Sequence, residues 1–175
     1  MTSQREPVDH VDEVDEIVSA WQLQRPDLDV GPLAVLSRVT RLAHHLDKAR
    51  AEAFEAHDLE SWEFDVLAAL RRAGSPYSLS AGELMRQTMV TSGTMTNRID
   101  RLSTSRLVTR QPDPADGRGV LVVLTAEGLN RVDASLSDLL KKEHEILSQL
   151  SKAERQQLAD ILKVLMKPFG EAEAN

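Results

Sequence analysis

The segment from Leu84 to Gly128 constrains the fold more than any other part of the chain. Its first half predicts the end of a short helix, a tight turn and a second helix over 91–103, whose apolar residues recur at helical spacing. Its second half holds two apolar strands, 107–109 and 120–124, and the prolines and the Asp-Gly pair within 112–117 predict the loop that joins them. The segment is therefore a helix, a turn, a helix and a hairpin.

This order of elements is that of a winged helix-turn-helix. The second helix of such a unit enters the major groove of DNA, while the hairpin reaches the neighbouring backbone or the minor groove. We therefore predict a mainly α fold with a small β wing, in which residues 59–124 form a DNA-binding lobe. The predicted partner is double-stranded DNA.

Amphipathic helices flank this lobe on both sides. Apolar spacing predicts a helix over 10–24, inside an acidic N-terminal extension that spans 1–31. The flanking helices carry more apolar surface than one small winged helix can cover, so we predict that 32–58 and 125–170 form the dimerisation region of a two-fold homodimer. A monomeric helical cap on the lobe is the alternative. The individual helices are predicted over 32–57, 60–73, 125–150 and 151–167. Ser80 and Glu83 form a predicted capping box at the start of the short helix that precedes the 91–103 helix. Pro168 is predicted to end the last helix.

The distribution of charge supports DNA binding although the whole chain is acidic. The formal net charge is −7, and residues 1–60 hold 13 acidic and 6 basic residues. Residues 86–118 hold six arginines and only three aspartates. Because phosphates are neutralised by local cations, a positive segment inside an acidic chain can still bind DNA.

The polar face of the 91–103 helix holds residue types suited to reading DNA. Small residues allow a close approach to the groove, Thr and Asn can bond base edges, and Arg98 can contact either guanine or phosphate. Arg118 at the wing tip suits a narrow minor groove, with a salt bridge to Asp116 as the alternative role. The predicted DNA-contacting residues are Ser92, Gly93, Thr94, Thr96, Asn97, Arg98, Arg101 and Arg118.

The same residues carry a resemblance to a known family. The runs SGTMTNRIDRL and LVTRQPDPADGRGVLVVLT, with the AEG that follows, resemble the MarR (multiple antibiotic resistance regulator) family, and the likeness covers nearly the whole chain from Leu33. The family implies a homodimeric winged-helix repressor that binds a palindromic operator and releases it when a small ligand binds. Arg106 departs from the pattern, because the family usually has a glycine there. Since Arg takes a left-handed cap less readily, we expect a locally different turn and a phosphate contact for this side chain.

A narrower resemblance is to the urate-responsive PecS branch of that family. It rests on Trp21 with the following RPDLD, on the FDVL run and on Arg110. It implies a small anionic or planar effector, such as urate or an organic acid, that breaks an Asp65–Arg110 pair. The alternative is that Trp21 anchors the dimer core and that the pair is structural, and Ala73 stands near the position where the branch usually has Asn. The ligand residues implied by position are Trp21, Asp65, Arg98 and Arg110.

The remaining sequence points away from other classes of protein. The chain has no cysteine, which excludes disulfides and thiolate metal sites. The spacing of His44 and His45 does not suit a metal site, and neither does that of the Glu143–Glu145 run. The sequence also shows no catalytic constellation. We therefore expect no metal, no cofactor and no enzymatic activity. The acidic N-terminus and the lack of a long apolar run predict a cytoplasmic protein without a membrane span. Two alternatives stay open, a helical protein-interaction module with a winged fold and a constitutive DNA binder without effector.

Overall fold

The computed structural model describes residues 11–114 and 119–172. Within these residues the chain forms seven helices and one three-stranded antiparallel sheet, which confirms the predicted mainly α fold with a small β wing. The chain divides into two compact units, residues 1–48 and 49–175. The elements are α1 Glu13–Gln24, α2 Gly31–Glu55, α3 Ser61–Arg72, β1 Ser78–Ser80, α4 Ala81–Thr88, α5 Ser92–Thr104, β2 Val108–Pro112, β3 Val120–Leu124, α6 Ala126–Ile146 and α7 Lys152–Ala172.

In the first unit, ion pairs join α1 to the first part of α2. Asp12 caps α1, where its Oδ1 accepts bonds from the backbone N–H groups of Val14 and Asp15 at 2.9 and 3.0 Å. The guanidinium of Arg38 on α2 donates to the carboxylates of both Asp12 and Asp15, at 2.7 to 2.8 Å. Val14 is buried in the same region. One arginine therefore holds both acidic residues of the cap, and the cap in turn fixes the start of α1.

The core of the second unit is built around α3. Leu67 and Leu70 on this helix are fully buried, and Phe64 stacks on Phe54 of α2 with ring centroids 4.0 Å apart. A fully buried side chain of this size contributes roughly 2 kcal/mol to stability, so α3 is the main support of the unit. α3 packs against α4 and α6 and the sheet, and it thereby carries the helix-turn-helix.

The sheet has the order β1-β3-β2, and both pairings are antiparallel. β1 was not predicted, because its three residues include a single apolar side chain, Leu79, and so show no alternation. It pairs with β3 from Ser78 opposite Val123 to Ser80 opposite Leu121. β1 thus ties the start of α4 to the second strand of the wing.

Two proline predictions were wrong. Pro112 was assigned to the loop, yet β2 continues through it, since an edge strand tolerates the missing N–H donor. Pro168 was predicted to end the last helix, yet α7 continues to Ala172. Pro168 costs α7 one N–H donor near its end, where few further backbone bonds depend on it.

The end of α6 was also predicted too late, since the helix ends at Ile146 and turns follow it.

The turn after α5 corrects the expectation for Arg106. Arg106 adopts the left-handed conformation itself, with φ 60°, although it is not a glycine. The N–H of Leu107 bonds the carbonyl of Leu102 at 2.9 Å, and the N–H of Arg106 bonds that of Ser103 at 3.1 Å. These two bonds form a Schellman motif, completed by the burial of Leu102 and Leu107. The turn therefore has regular geometry, and Arg106 adopts the left-handed conformation at a steric cost that glycine would not have.

Among the described residues, no helix is both long enough and apolar enough to cross a membrane.

Candidate DNA interface

The helix-turn-helix consists of α4, a three-residue turn that begins at Met89, and α5. The predicted capping box is confirmed, since Ser80 N donates to Glu83 Oε2 at 2.8 Å and Glu83 N donates to Ser80 Oγ at 3.3 Å. Met89 ends α4 in the left-handed conformation, with φ 53°. This geometry turns the chain sharply, and α5 begins three residues later, after Thr91 as its N-cap.

α5 has one buried and one exposed face. Met95, Ile99 and Leu102 point into the core, as predicted. The hydroxyl of Thr96 donates to Ser92 O within the same helix at 3.0 Å, so its donor is already used in the free protein. Contact with DNA remains a prediction for this face. The predicted residues of the helix that are exposed are Ser92, Gly93, Thr94, Thr96, Asn97 and Arg101, and Arg98 is half-buried.

An open groove of about 400 Å³ runs along this exposed face. Five of the predicted DNA-contacting residues line it, and the sixth lining residue is Trp62 at the start of α3. Because the groove carries two arginines and several small or amide side chains, it suits an anionic partner with hydrogen-bonding edges. The lining residues are Trp62, Gly93, Thr94, Asn97, Arg98 and Arg101.

Trp62 and Glu60 were not predicted to lie at this face. The guanidinium carbons of Arg98 and Arg101 lie 5.4 and 4.6 Å from the Trp62 ring centroid. Glu60 accepts bonds from Trp62 Nε1 at 2.8 Å and from Arg101 Nη2 at 2.5 Å, and these bonds lower the pKa of its carboxyl group. The signal in the sequence was an aromatic residue at the start of the predicted 60–73 helix, four residues before Val66.

An ion pair joins the wing to α5. Arg110 on β2 donates from Nη2 to Asp100 Oδ1 at 2.6 Å. At the other end of the wing strands, Thr125 Oγ1 donates to the carbonyl oxygens of Arg106 and Leu107 at 2.9 and 3.1 Å. The wing base is thus fixed to α5 and to the start of α6. The predicted wing-tip residues Asp116 and Arg118 lie outside the described residues.

Comparison with known proteins identifies this arrangement. Residues 57–119 match the MarR family. The chain is 36% identical over 150 residues to the HTH-type transcriptional regulator PecS of Dickeya dadantii, covering 86% of this chain and 90% of that protein. The chain belongs to the MarR family. It is also 33% identical over 113 residues to the HTH-type transcriptional repressor NicR of Pseudomonas putida, covering 62% of this chain and 70% of NicR.

A solved structure shows the same fold on DNA. A mutant MarR from E. coli complexed with operator DNA superposes with a TM-score of 0.64 at 25% identity, covering 89% of this chain and 99% of that one. The predicted resemblance to the MarR family is therefore confirmed, and the chain is a DNA-binding transcription regulator with a winged helix-turn-helix.

Three of the four ligand residues implied by the PecS-like pattern have other partners in the structure. Trp21 is half-exposed in the first unit. In the second unit, Asp65 pairs with Arg50 at 3.3 Å, while Arg98 lies over Trp62 and Arg110 bonds Asp100. The expected Asp65–Arg110 pair is thus replaced by two separate pairs, Asp65–Arg50 and Arg110–Asp100. Ligand binding by these residues remains a prediction for this MarR-family chain.

The histidines considered as metal ligands have ordinary surroundings. The rings of His44 and His45 lie 6.0 Å apart and are tilted by 60°. His144 Nδ1 lies 2.6 Å from the carbonyl oxygen of Leu140 on its own helix. Across residues 11–114 and 119–172, no three His, Asp or Glu side chains are grouped closely enough to hold a metal ion.

Proposed function

We propose that this MarR-family chain is a ligand-responsive repressor that binds a palindromic operator as a homodimer. The observation that carries the proposal is the groove along α5, which brings Gly93, Thr94, Asn97, Arg98 and Arg101 to one exposed surface. In a helix-turn-helix protein this surface enters the major groove, and a two-fold dimer reads two half-sites about one DNA turn apart. A repressor of this kind acts where the DNA is, so we place it in the cytoplasm.

Exposed apolar side chains support the dimer. α7 leaves Val164, Met166 and Phe169 more than half exposed, and α2 leaves Val35 and Leu36 equally open. Exposed apolar side chains of this kind on each helix fit an interface with a second copy of the chain. We assign dimerisation to 32–58 and 125–170, DNA binding to 59–124, and an acidic extension to 1–31.

The DNA-binding part of the proposal is tested by selecting bound sequences from a random pool. A palindrome among the selected sequences, bound with two chains per site, supports the proposal. Asn97→Ala should then lower affinity and relax the preference at one position of each half-site, because an amide can bond adenine through two bonds. Arg72→Ala, an exposed arginine of α3 outside the groove, serves as the control and should bind like the wild type. Selection without symmetry, or no selection at all, contradicts the proposal.

The proposed wing contact has its own test. Arg118→Ala should weaken operator binding, because one cation next to the DNA is lost. The slope of log affinity against log salt concentration should become shallower by about one. Unchanged affinity and salt dependence would remove Arg118 from the interface.

The effector is proposed to be a planar or anionic small molecule, such as urate or an organic acid, held by Trp21, Asp65, Arg98 and Arg110. Arg110 is the suggested link to DNA binding, because an anion that displaces Asp100 and pairs with Arg110 occupies its donors and neutralises a cation of the DNA-facing segment. Thermal-shift measurements with urate, xanthine, aconitate and citrate test this, since a ligand of the folded state raises the melting temperature. If Trp21→Ala leaves the shift unchanged, the proposed pocket is wrong. If no compound shifts the melting temperature or releases the operator, the chain is a constitutive DNA binder.

A further inference from the structure

We propose that Glu60 and Trp62 form a positioning unit that holds Arg98 and Arg101 in the geometry in which they meet DNA. The proposal rests on the proposed function of the α5 groove and adds two residues from outside the helix-turn-helix to it. Both lie at the start of α3, the helix that supports the core of the second unit.

The first part of the unit is the aromatic face of Trp62. Both guanidinium groups lie within the distance of about 6 Å at which a cation is attracted to an aromatic ring, Arg101 at 4.6 Å and Arg98 at 5.4 Å. Arg98 and Arg101 are three residues apart on α5, so they project from the same side of the helix. One indole ring therefore orients two arginines at once.

The second part is the carboxylate of Glu60. Its Oε2 accepts from Trp62 Nε1, and its Oε1 accepts from Arg101 Nη2, so it bonds both the ring and the cation stacked on it. This carboxyl group is ionised at neutral pH, and its bonds to Trp62 and Arg101 lower its pKa further. Glu60, Trp62 and Arg101 thus form a closed triangle of contacts in which each member restrains the other two.

The unit is itself fixed to the body of the protein. The backbone N–H of Glu60 donates to Glu63 Oε2 at 2.9 Å, and its carbonyl accepts from Phe64 N at 3.1 Å. Trp62 packs against the core cluster. A long arginine side chain loses rotamer freedom when it contacts DNA, and prior restraint reduces that cost. The arrangement therefore favours binding without adding a new contact to DNA.

The test compares Trp62→Leu with Trp62→Phe on the operator obtained by selection. Neither variant changes the charge of the groove, so the salt dependence of affinity should stay that of the wild type. Trp62→Leu should weaken binding about tenfold, equal to about 1.4 kcal/mol, while Trp62→Phe keeps an aromatic face and should recover part of that loss. By contrast, Arg101→Ala should lower both the affinity and the salt dependence.

A direct readout of position uses the free protein. Nitrogen relaxation of the Arg98 and Arg101 side chains should show restricted Nε motion in the wild type, more motion in Trp62→Phe and most in Trp62→Leu. Thermal melting of each variant checks that it is folded, and Trp62→Phe supplies the comparison if Trp62→Leu unfolds. Equal arginine mobility in the wild type and Trp62→Phe, or equal DNA affinity in the wild type and Trp62→Leu, overturns the inference.

Two Glu60 variants separate positioning from charge. Glu60→Gln keeps an acceptor oxygen near Trp62 and Arg101 but removes a negative charge, whereas Glu60→Ala removes both. If Glu60 positions the arginine, Glu60→Ala binds DNA several-fold more weakly than Glu60→Gln. Equal affinities show that only its charge matters and contradict the inference. A wild-type protein that retards no selected DNA instead contradicts the proposed function itself.

Discussion

Asp100 on α5 accepts a 2.6 Å hydrogen bond from Arg110 on β2, the first strand of the wing. The pair joins the two DNA-facing elements of the lobe, yet both side chains are substantially exposed. An exposed ion pair contributes at most about 1 kcal/mol to stability. Its larger effect is on charge, because Asp100 neutralises a cation in the segment of the chain that faces DNA.

Asp100→Asn should therefore tighten DNA binding at low salt while changing the free energy of unfolding by less than about 1 kcal/mol. The substitution removes a negative charge near the phosphates and leaves Arg110 available to them, so the salt dependence of affinity should become steeper. Titrations at several salt concentrations measure both effects. Asp160→Asn on α7 is the control, since it removes the same charge from an element outside the lobe. Weaker binding by Asp100→Asn would show that the pair is needed to hold the wing.

Arg106→Gly should stabilise the protein by about 1 kcal/mol. Arg106 holds a φ of 60° in the Schellman turn after α5, a conformation that glycine adopts without steric cost. Its side chain is exposed, so little packing is lost. Urea unfolding measures the gain.

Arg106→Ala is the matched comparison, because alanine also lacks the long side chain but keeps the Cβ atom. It should show no such gain. If both variants are stabilised equally, the effect comes from the side chain and not from the backbone conformation.

The helix-turn-helix and the wing strands could be predicted from the sequence because each has a strong local signal. Ser80 and Glu83 mark the start of α4, and the apolar spacing of Met95, Ile99 and Leu102 fixes the inner face of α5. The three-residue strand β1 has no periodicity of its own and forms only because β3 pairs with it. Local patterns therefore identified the elements, and tertiary pairing supplied the one they missed.

The partners of the charged residues could not be predicted in the same way. Arg110 and Asp65 were expected to pair with each other, yet they bond Asp100 and Arg50. Exposed ion pairs are weak and depend on the final placement of the backbone, so spacing along the chain does not determine them. Glu60 and Trp62 were missed for the same reason, because they reach the arginines of α5 across the fold.

Gly128→Ala should destabilise the protein by about 2 kcal/mol or more. A Cβ atom at this position would lie 2.1 Å from the carbonyl oxygen of Leu107, which is backbone and cannot turn away as a side chain would. That carbonyl also accepts from Thr125 N at 3.1 Å, so shifting it would disturb the junction of β2 with α6. Thermal or urea unfolding measures the loss.

Gly82→Ala on α4 is the control for this prediction. Its added Cβ atom would meet nothing nearer than the Ser80 hydroxyl, at 4.0 Å, and alanine favours a helix. Gly82→Ala should therefore be neutral or stabilising. A Gly128→Ala variant as stable as the wild type would mean that α6 can move away from Leu107 at little cost.

The Asp12–Arg38 pair should make the stability of the N-terminal unit depend on pH in acid. The bonds from Arg38 lower the pKa of Asp12 from 3.8 to about 2. Because the folded-state pKa lies below the unfolded one, the stabilisation is complete above about pH 4 and is lost as the pH falls through about 2. The difference in unfolding free energy between the wild type and Asp12→Asn should thus be constant from pH 7 to about 5 and should shrink below pH 4. The difference in unfolding free energy between the wild type and Arg38→Gln should shrink in acid in the same way, because this variant removes the other partner of the pair. A difference that stays constant down to pH 2, or one that grows in acid, would show that Arg38 does not hold this carboxylate in solution.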